Sequence, residues 1–420
     1  MYFRAGYVAD TLQKSLDTHA SDMTKYPCSA TCIQAMVLLL VLSGASMAGQ
    51  GQDPVGALKP AVDEQVLKGI HLLYNRQFDE AEALFQAVKA RFPGKPAPCF
   101  YLAMVSWSRL TAGFWSPAMV GQYKERIDQT VAVARARITE GKGDSFTYFY
   151  LGGALGFDGR FELMKGNWIT SFFLASDAIE ALKTCQEMDP DNKDVLLGLG
   201  TFDYYTARLS GVLKFLTYFL LHKGDKEEGL RKLTIAAHEA VYSATEAKSM
   251  LLHIYLFLEN DLVKALSISE DLSETYPLNS RFRVLQGVSC IRLGKDAQYR
   301  EIVSGLKEQG RHSKAKEAAA AWRRRALYLE SIADLFGRDY ANARIKLWEI
   351  LASQDPEHDP AMIAWPRIKL GMSYDLEGDR DRAMEFYEQV LDMTNAAGAQ
   401  FLAQKLSKKP PRKEDPFLGY

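Results

Sequence analysis

Cysteine is scarce, with five residues in 420. Cys28 and Cys32 fall in a leader-like segment, and the remaining three, Cys99, Cys185 and Cys290, are widely spaced and odd in number. A disulfide framework is therefore not the organising device, and there is room for one pair at most. Each of the three sits in an apolar helical context and reads as a small buried hydrophobe. An excess of one charge sign is also missing. Lys and Arg total 51 against 52 Asp and Glu, a formal net charge of −1, so the chain has no bulk positive field with which to hold nucleic acid. Glycine (30) and proline (15) are at ordinary levels, and most of the chain should be ordered.

A readable reaction centre is missing as well. His238-Glu239 has no second histidine at metalloprotease spacing, and His222, His238 and His253 are too scattered for a zinc site. Gly141-Lys142-Gly143-Asp144 lacks the earlier Gly and the following Ser or Thr of a phosphate loop and reads as a turn. Gly198-x-Gly200 is followed by Asp203 rather than Gly and has no strand before it, which points to tight helix packing. With no nucleophile–base pair and no ligand cluster, neither enzyme activity nor a cofactor nor a metal is expected.

Ala, Leu, Glu, Lys and Arg dominate, and this favours helix. Near the start, Lys25, the short apolar run Ala35 to Leu42, and Ser46-x-Ala48 have the anatomy of a secretory signal peptide cleaved after Ala48. The run is too short to span a bilayer comfortably. No Cys follows the site, which disfavours a lipid anchor. Residues 1–22 look out of place ahead of such a signal, so Met23 is the expected start. The expected layout is a signal peptide over 1–48, a linker over 49–60, a helical solenoid over 61–405, and a flexible charged tail over 406–420. Export places the mature protein in the periplasm or cell envelope.

Internal periodicity sets the fold. Asp63 to Pro93 carries Gly69, then Ala81 twelve positions on, Phe85 four further, and a closing Pro93. This is the pattern of a ~34-residue unit of two antiparallel helices. A small residue lets the helices approach, and Phe fills the gap to the next unit. Leu370, Gly371 and Tyr374 with Ala383 and Tyr387 repeat the pattern. So do Leu252, Leu256, Ala265 and Leu272, ending at Pro277. Weaker copies centre on Gly287 with Tyr299, and on Ala343 with Leu347, Ile350 and Pro356. The turn before the helical stretch Gln122 to Ile138 looks long. Two central units depart from the pattern. Tyr148 to Phe157 and a helix from near Ser171 are separated by DGRFELMKGNWIT, longer than a turn needs. Leu196 to Arg208 is followed by an inserted apolar stretch, Gly211 to Leu221. The predicted fold is all-α, a right-handed α-solenoid of tetratricopeptide-like helix pairs with two central insertions on one edge.

These motifs resemble tetratricopeptide proteins over most of Asp63 to Leu391. More narrowly, GLGTFDYYTA, KGDKEEGLRKLTIAA and MLLHIYLFLENDLVKAL are similar to a group of exported bacterial tetratricopeptide proteins, the shared feature being Gly224-Asp225 with Gly229-Leu230 and then a helix ending in Ala236-Ala237. They are similar, more distantly, to eukaryotic inclusion-body-clearance-type tetratricopeptide proteins. The resemblance implies a helical scaffold without enzyme activity and transfers no binding residues.

The expected function is a non-catalytic scaffold that holds a protein or peptide partner in a groove lined by the first helices of the pairs. Phe146, Phe149, Tyr150 and Phe157 on one first helix, and Phe202, Tyr204 and Tyr205 on the next, either fill the core or face that groove. The residues expected to include partner contacts are Arg160, Lys165, Trp168, Asp203, Tyr204, Tyr205 and Arg208, because aromatic and arginine side chains give area and directed hydrogen bonds together. Tyr204 and Tyr205 are adjacent on a helix, so at least one must point away from any single buried face. The rival reading is a small-ligand or lipid-like carrier with a central aromatic pocket. Gly211 to Leu221 reads as packing against the solenoid, with contact to a membrane surface as the alternative.

Overall fold

The computed structural model describes residues 59–208 and 224–411. The expected signal peptide and the apolar stretch 211–221 lie outside the described residues, as does the chain beyond 411. Among the described residues there are seventeen α-helices and no strand. They run α1 (Lys59–Tyr74), α2 (Phe78–Arg91), α3 (Pro96–Thr111), α4 (Pro117–Thr139), α5 (Ser145–Met164) and α6 (Trp168–Met188). Next come α7 (Val195–Ala207), α8 (Lys226–Glu239), α9 (Ala244–Ile254), α10 (Leu262–Thr275), α11 (Ser280–Leu293) and α12 (Asp296–His312). The last five are α13 (Lys316–Phe336), α14 (Tyr340–Ala352), α15 (Ala361–Glu377), α16 (Arg380–Leu391) and α17 (Gln400–Lys408).

Local chemistry marks where these helices begin and end. Four even-numbered helices share one start signal. Asp225, Asp261, Asp339 and Asp379 each accept a hydrogen bond from the backbone N–H three residues on, capping α8, α10, α14 and α16. Asp144 and Thr147 form a reciprocal capping box at α5. Gly294 and Gly378 end α11 and α15 in the left-handed region, φ 68° and 96°.

Each helix packs on its successor, and odd-numbered helices also touch one another: α1 with α3, α3 with α5, α5 with α7, α7 with α9, α11 with α13, and α13 with α15. The odd helices thus form a layer against which the even ones stack in turn. Small residues set the spacing. A Cβ added at Gly69 would lie 2.3 Å from Phe85, and one at Gly371 would lie 2.5 Å from Tyr387. In both pairs the intruding ring stands sixteen positions on, and Ala81 and Ala383 are fully buried. The weaker copy differs, because the space at Gly287 is filled by Leu329 of α13 rather than by its own second helix. At the crossing of α7 and α8 backbone approaches backbone. A Cβ at Gly229 would lie 2.5 Å from the backbone N of Tyr204, and one at Gly200 would lie 2.9 Å from the Gly229 carbonyl. Cys99, Cys185 and Cys290 are buried free thiols.

Four boundaries differ from expectation. DGRFELMKGNWIT is not an inserted loop. Its first seven residues continue α5 to Met164, Lys165 to Asn167 make the turn, and α6 starts at Trp168. The pair is simply long, because Phe161 and Glu162 carry the buried face one turn further. The turn before α4 is likewise only Ala112 to Ser116, since Ser116 caps a helix opened by Pro117. At the other end α17 runs to Lys408, past the expected tail boundary at 406, with the Arg380 guanidinium donating to the carbonyls of Leu406 and Ser407. The helical part also begins at Lys59, inside the expected linker.

The stack folds back on itself. The end of α1 meets the α10–α11 turn: Leu278 N–H donates to Asn75 Oδ1 at 3.3 Å, Asn279 Nδ2 donates to the Tyr74 carbonyl at 2.8 Å, and Tyr276 lies against His71 and Tyr74. The turn after α3 meets the C-terminal helices: Trp115 N–H donates to Asn395 Oδ1 at 3.1 Å, and its indole stands edge-on to Phe401. Two ionic features lie in the core. Asp359 takes a paired contact from Arg325 at 2.6 Å and another from Arg324 at 2.7 Å. Lys369 of α15 is fully buried.

Candidate functional site

On the odd-helix layer, Arg160 of α5 is the centre of a polar cluster. Its guanidinium lies 5.2 Å over the ring of Trp107 on α3 and donates to Glu246 Oε1 of α9 at 3.1 Å. Glu246 also accepts from the Tyr74 hydroxyl of α1 at 2.7 Å. Burial first, and then the Glu246 charge, push the Tyr74 phenol well above its ordinary range. The positive charge of Arg160 also acts on Tyr205 of α7 and His253 of α9. One residue thus links five successive odd helices. Arg160 keeps 41% of its side chain exposed despite these contacts, and Tyr205 is 38% exposed with its hydroxyl 3.7 Å from Met250 Sδ.

His253 closes the cluster toward α11. Its Nδ1 faces the Ser249 carbonyl at 2.7 Å, which places the proton there and leaves Nε2 to accept from Arg281 at 3.1 Å. Burial, reinforced by Arg281, pushes its pKa down to about 3, so it is a neutral imidazole at physiological pH.

A second cluster lies at the base of the stretch outside the described residues. Glu259 ends a π-helical turn, Tyr255–Glu259, after which Asn260 adopts φ 59°. It accepts from the Tyr204 hydroxyl at 2.7 Å, Arg208 at 2.9 Å and Lys226 at 2.8 Å. Burial alone would raise this carboxyl, and hydrogen bonds from Lys226 and Tyr204 bring it below its ordinary value. The chain leaves at Arg208 and returns by Lys226, and both ends are tied to one carboxylate. A third cluster lies between α4 and α5, where Lys124 joins Asp158 at 2.5 Å and Glu162 at 2.8 Å.

No family model and no curated protein matches this chain. Of the seven residues singled out in the sequence, Arg160, Tyr205 and Arg208 come together on the odd-helix layer. The other four do not join them. Tyr204 is fully buried and serves to hold Glu259. Asp203 turns toward α8, where Lys232 holds it at 2.6 Å. Lys165 and Trp168 stand at the α5–α6 turn, with Lys165 5.5 Å over the Phe161 ring. The adjacent tyrosines split one in and one out, as helix geometry requires.

Trp107, Glu246, His253 and Glu259 were not anticipated. Nothing local marks them, since the side chains named above that pair with them stand from 28 to 172 positions away in sequence. Among the described residues no group of three or more His, Cys, Asp or Glu side chains could hold a metal ion, and no helix is long and apolar enough to cross a membrane. The rival carrier reading drew on the central aromatic side chains, and among the described residues several of these pack on one another. Phe149, Tyr150 and Phe161 are buried, and Phe146 and Tyr150 pack on Tyr242 and Phe100 respectively.

Proposed function

We propose that this chain is a right-handed tetratricopeptide-type solenoid that acts without catalysis, holding a polypeptide segment against its odd-helix layer in the cell envelope. The repeat assignment is supported by Gly69 with Phe85 and Gly371 with Tyr387, the same contact at the same spacing at the two ends of the stack. The observation that carries the binding reading is the half-exposed set of Arg160 beside Glu246, Tyr205, and Arg208 beside Glu259. The set offers a planar cation over an aromatic ring, a phenol, a second cation and a carboxylate. Such a mixture suits backbone carbonyls and mixed side chains of a peptide, and it holds the tyrosine and arginine types that dominate interface energetics. The aromatic residues that would have walled a carrier pocket pack on one another, so the polypeptide reading is preferred.

A photocrosslinking amino acid at position 205, in protein expressed in its native host, tests this. Crosslinks to a discrete polypeptide are expected from 205 and not from position 345, an exposed site on α14. Arg160→Ala should reduce that yield severalfold without changing helix content, since loss of an interface anchor commonly costs about 2 kcal/mol. Equal labelling from 205 and 345, or labelling indifferent to Arg160→Ala, would overturn the reading.

A further inference from the structure

The start of α9 is a junction of three elements. Thr245 and Glu246 stand side by side in its first turn. The Thr245 hydroxyl is 2.7 Å from the Tyr276 hydroxyl of the α10–α11 turn, and Glu246 Oε2 accepts from the Tyr74 hydroxyl of α1 at 2.7 Å. The two tyrosine rings lie against each other, 5.5 Å between centroids. Backbone contacts fix them from behind. Asn279 Nδ2 donates to the Tyr74 carbonyl at 2.8 Å, and Asn75 Oδ1 accepts from the Leu278 N–H at 3.3 Å. One oxygen of Glu246 is thus held by the seam that closes α1 on the α10–α11 turn. The other faces the odd-helix layer, where Glu246 Oε1 accepts from Arg160 at 3.1 Å.

Arg160 needs such a guide. Its side chain is long and 41% exposed, and it keeps several rotamers unless something selects one. The Trp107 ring, 5.2 Å from the guanidinium, holds a cation at its face without fixing how the fork is turned. Direction comes from the Glu246 carboxylate. A glutamate also has three torsions to settle, and an exposed ion pair that must order both side chains adds little. Glu246 is ordered beforehand by Tyr74, so less entropy is lost when Arg160 meets it. The guide can also be withdrawn. α1 packs on α2 and α3 and reaches the later helices through the seam, and in stacked repeats a pair at an edge opens more readily than one flanked on both sides. We propose that Glu246 is a positioning residue that relays the docking of α1 to Arg160, so the layer grips its polypeptide while the seam is closed and releases it when α1 leaves. What is gripped rests on the polypeptide reading above; the relay rests on the Tyr74–Glu246–Arg160 chain.

Two measurements test this. In the first, the photocrosslinking residue at 205 is combined with Tyr74→Phe, which removes one hydroxyl, or with Asn279→Ala, which loosens the seam away from Arg160. Each should lower the crosslink yield about threefold, and neither should lower it further in an Arg160→Ala background. Glu246→Gln still offers an oxygen to Arg160 and an N–H to the Tyr74 oxygen, and it should keep most of the yield. Glu246→Leu should fall to the level of Arg160→Ala. In the second, amide hydrogen exchange across α1 is followed in the purified full chain without a partner. Coupling between two sites is reciprocal, so Arg160→Ala should speed exchange in α1 severalfold, while Glu246→Gln should leave it near wild type. The relay is overturned by exchange in α1 that ignores Arg160→Ala, or by seam variants that lower the yield equally with and without Arg160. If the wild type gives no specific crosslink at 205, the polypeptide reading falls, and exchange in α1 by itself decides the relay.

Discussion

Glycine 229 has no room for a methyl group, whereas Gly121, on the exposed side of α4, has no neighbour within 4 Å. The same change should therefore have opposite signs at the two sites. Gly229→Ala presses on the backbone of α7 and should cost about 1–3 kcal/mol, while Gly121→Ala should add about 0.4–1 kcal/mol by narrowing the unfolded ensemble. Urea midpoints of the two variants check this, and a neutral Gly229→Ala would mean that α7 and α8 can part without cost. Two buried bases give the protein a pH signature. His253 is held near 3 against an ordinary 6.5, and burial lowers Lys369 from 10.5 to about 7. Between its folded and unfolded values each group is protonated only when the chain unfolds. Stability should thus rise with pH through both windows, by up to about 1.4 kcal/mol per unit per group. Lys369→Met should raise stability at neutral pH and flatten the alkaline window. An unchanged slope there in denaturation curves would mean that other groups carry it. The packing role of Gly200 was legible from the sequence, because glycine inside a helix is costly unless something approaches closely. The ionisation of His253 was not, because it depends first on burial in the packed layer and then on Arg281 from another helix.

Four helix starts rest on one residue type, since Asp225, Asp261, Asp339 and Asp379 each supply an acceptor for an orphan N–H. The α5–α6 pair was misread for a physical reason. Gly156, Asp158, Gly159 and Gly166 lie within eleven residues and suggest a loop by composition, yet Asp158 is held by Lys124 and Gly159 lets α6 come close. Tertiary contacts thus override a weak local propensity. The joint between α13 and α15 offers the sharpest test at this scale. Asp359 neutralises two arginines that have almost no access to water, so Asp359→Ala leaves buried charge without its counter-ion and should cost about 3–5 kcal/mol. Thermal unfolding of that variant should show the loss. A small loss would mean that Asp355, 4.0 Å from Arg324, takes over the role.

A stack in which units touch only their neighbours unfolds piecemeal and confines damage to the unit struck. Here Trp115 couples the second helix pair to residues nearly three hundred positions away. Trp115→Ala should speed hydrogen exchange not only in α3 and α4 but across Ala396 to Phe401, and its cost should approach the roughly 3–5 kcal/mol of a buried aromatic. Exchange confined to α3 and α4 would show that the contact carries no free energy. The contacts of Gly69 with Phe85 and of Gly371 with Tyr387 were legible because each leaves a short-range signature in spacing, whereas the contacts of Tyr74 with Asn279 and of Trp115 with Asn395 leave none. Those contacts also limit how such a chain can evolve. Tandem duplication is the usual way a repeat protein gains length, and an extra pair between α1 and α11 would carry Asn279 out of reach of Tyr74. The number of pairs in that interval is fixed by the closure. New sequence can enter without penalty only in the turns, and the α7–α8 turn, where Glu259 fastens both ends, is where this chain has accepted it.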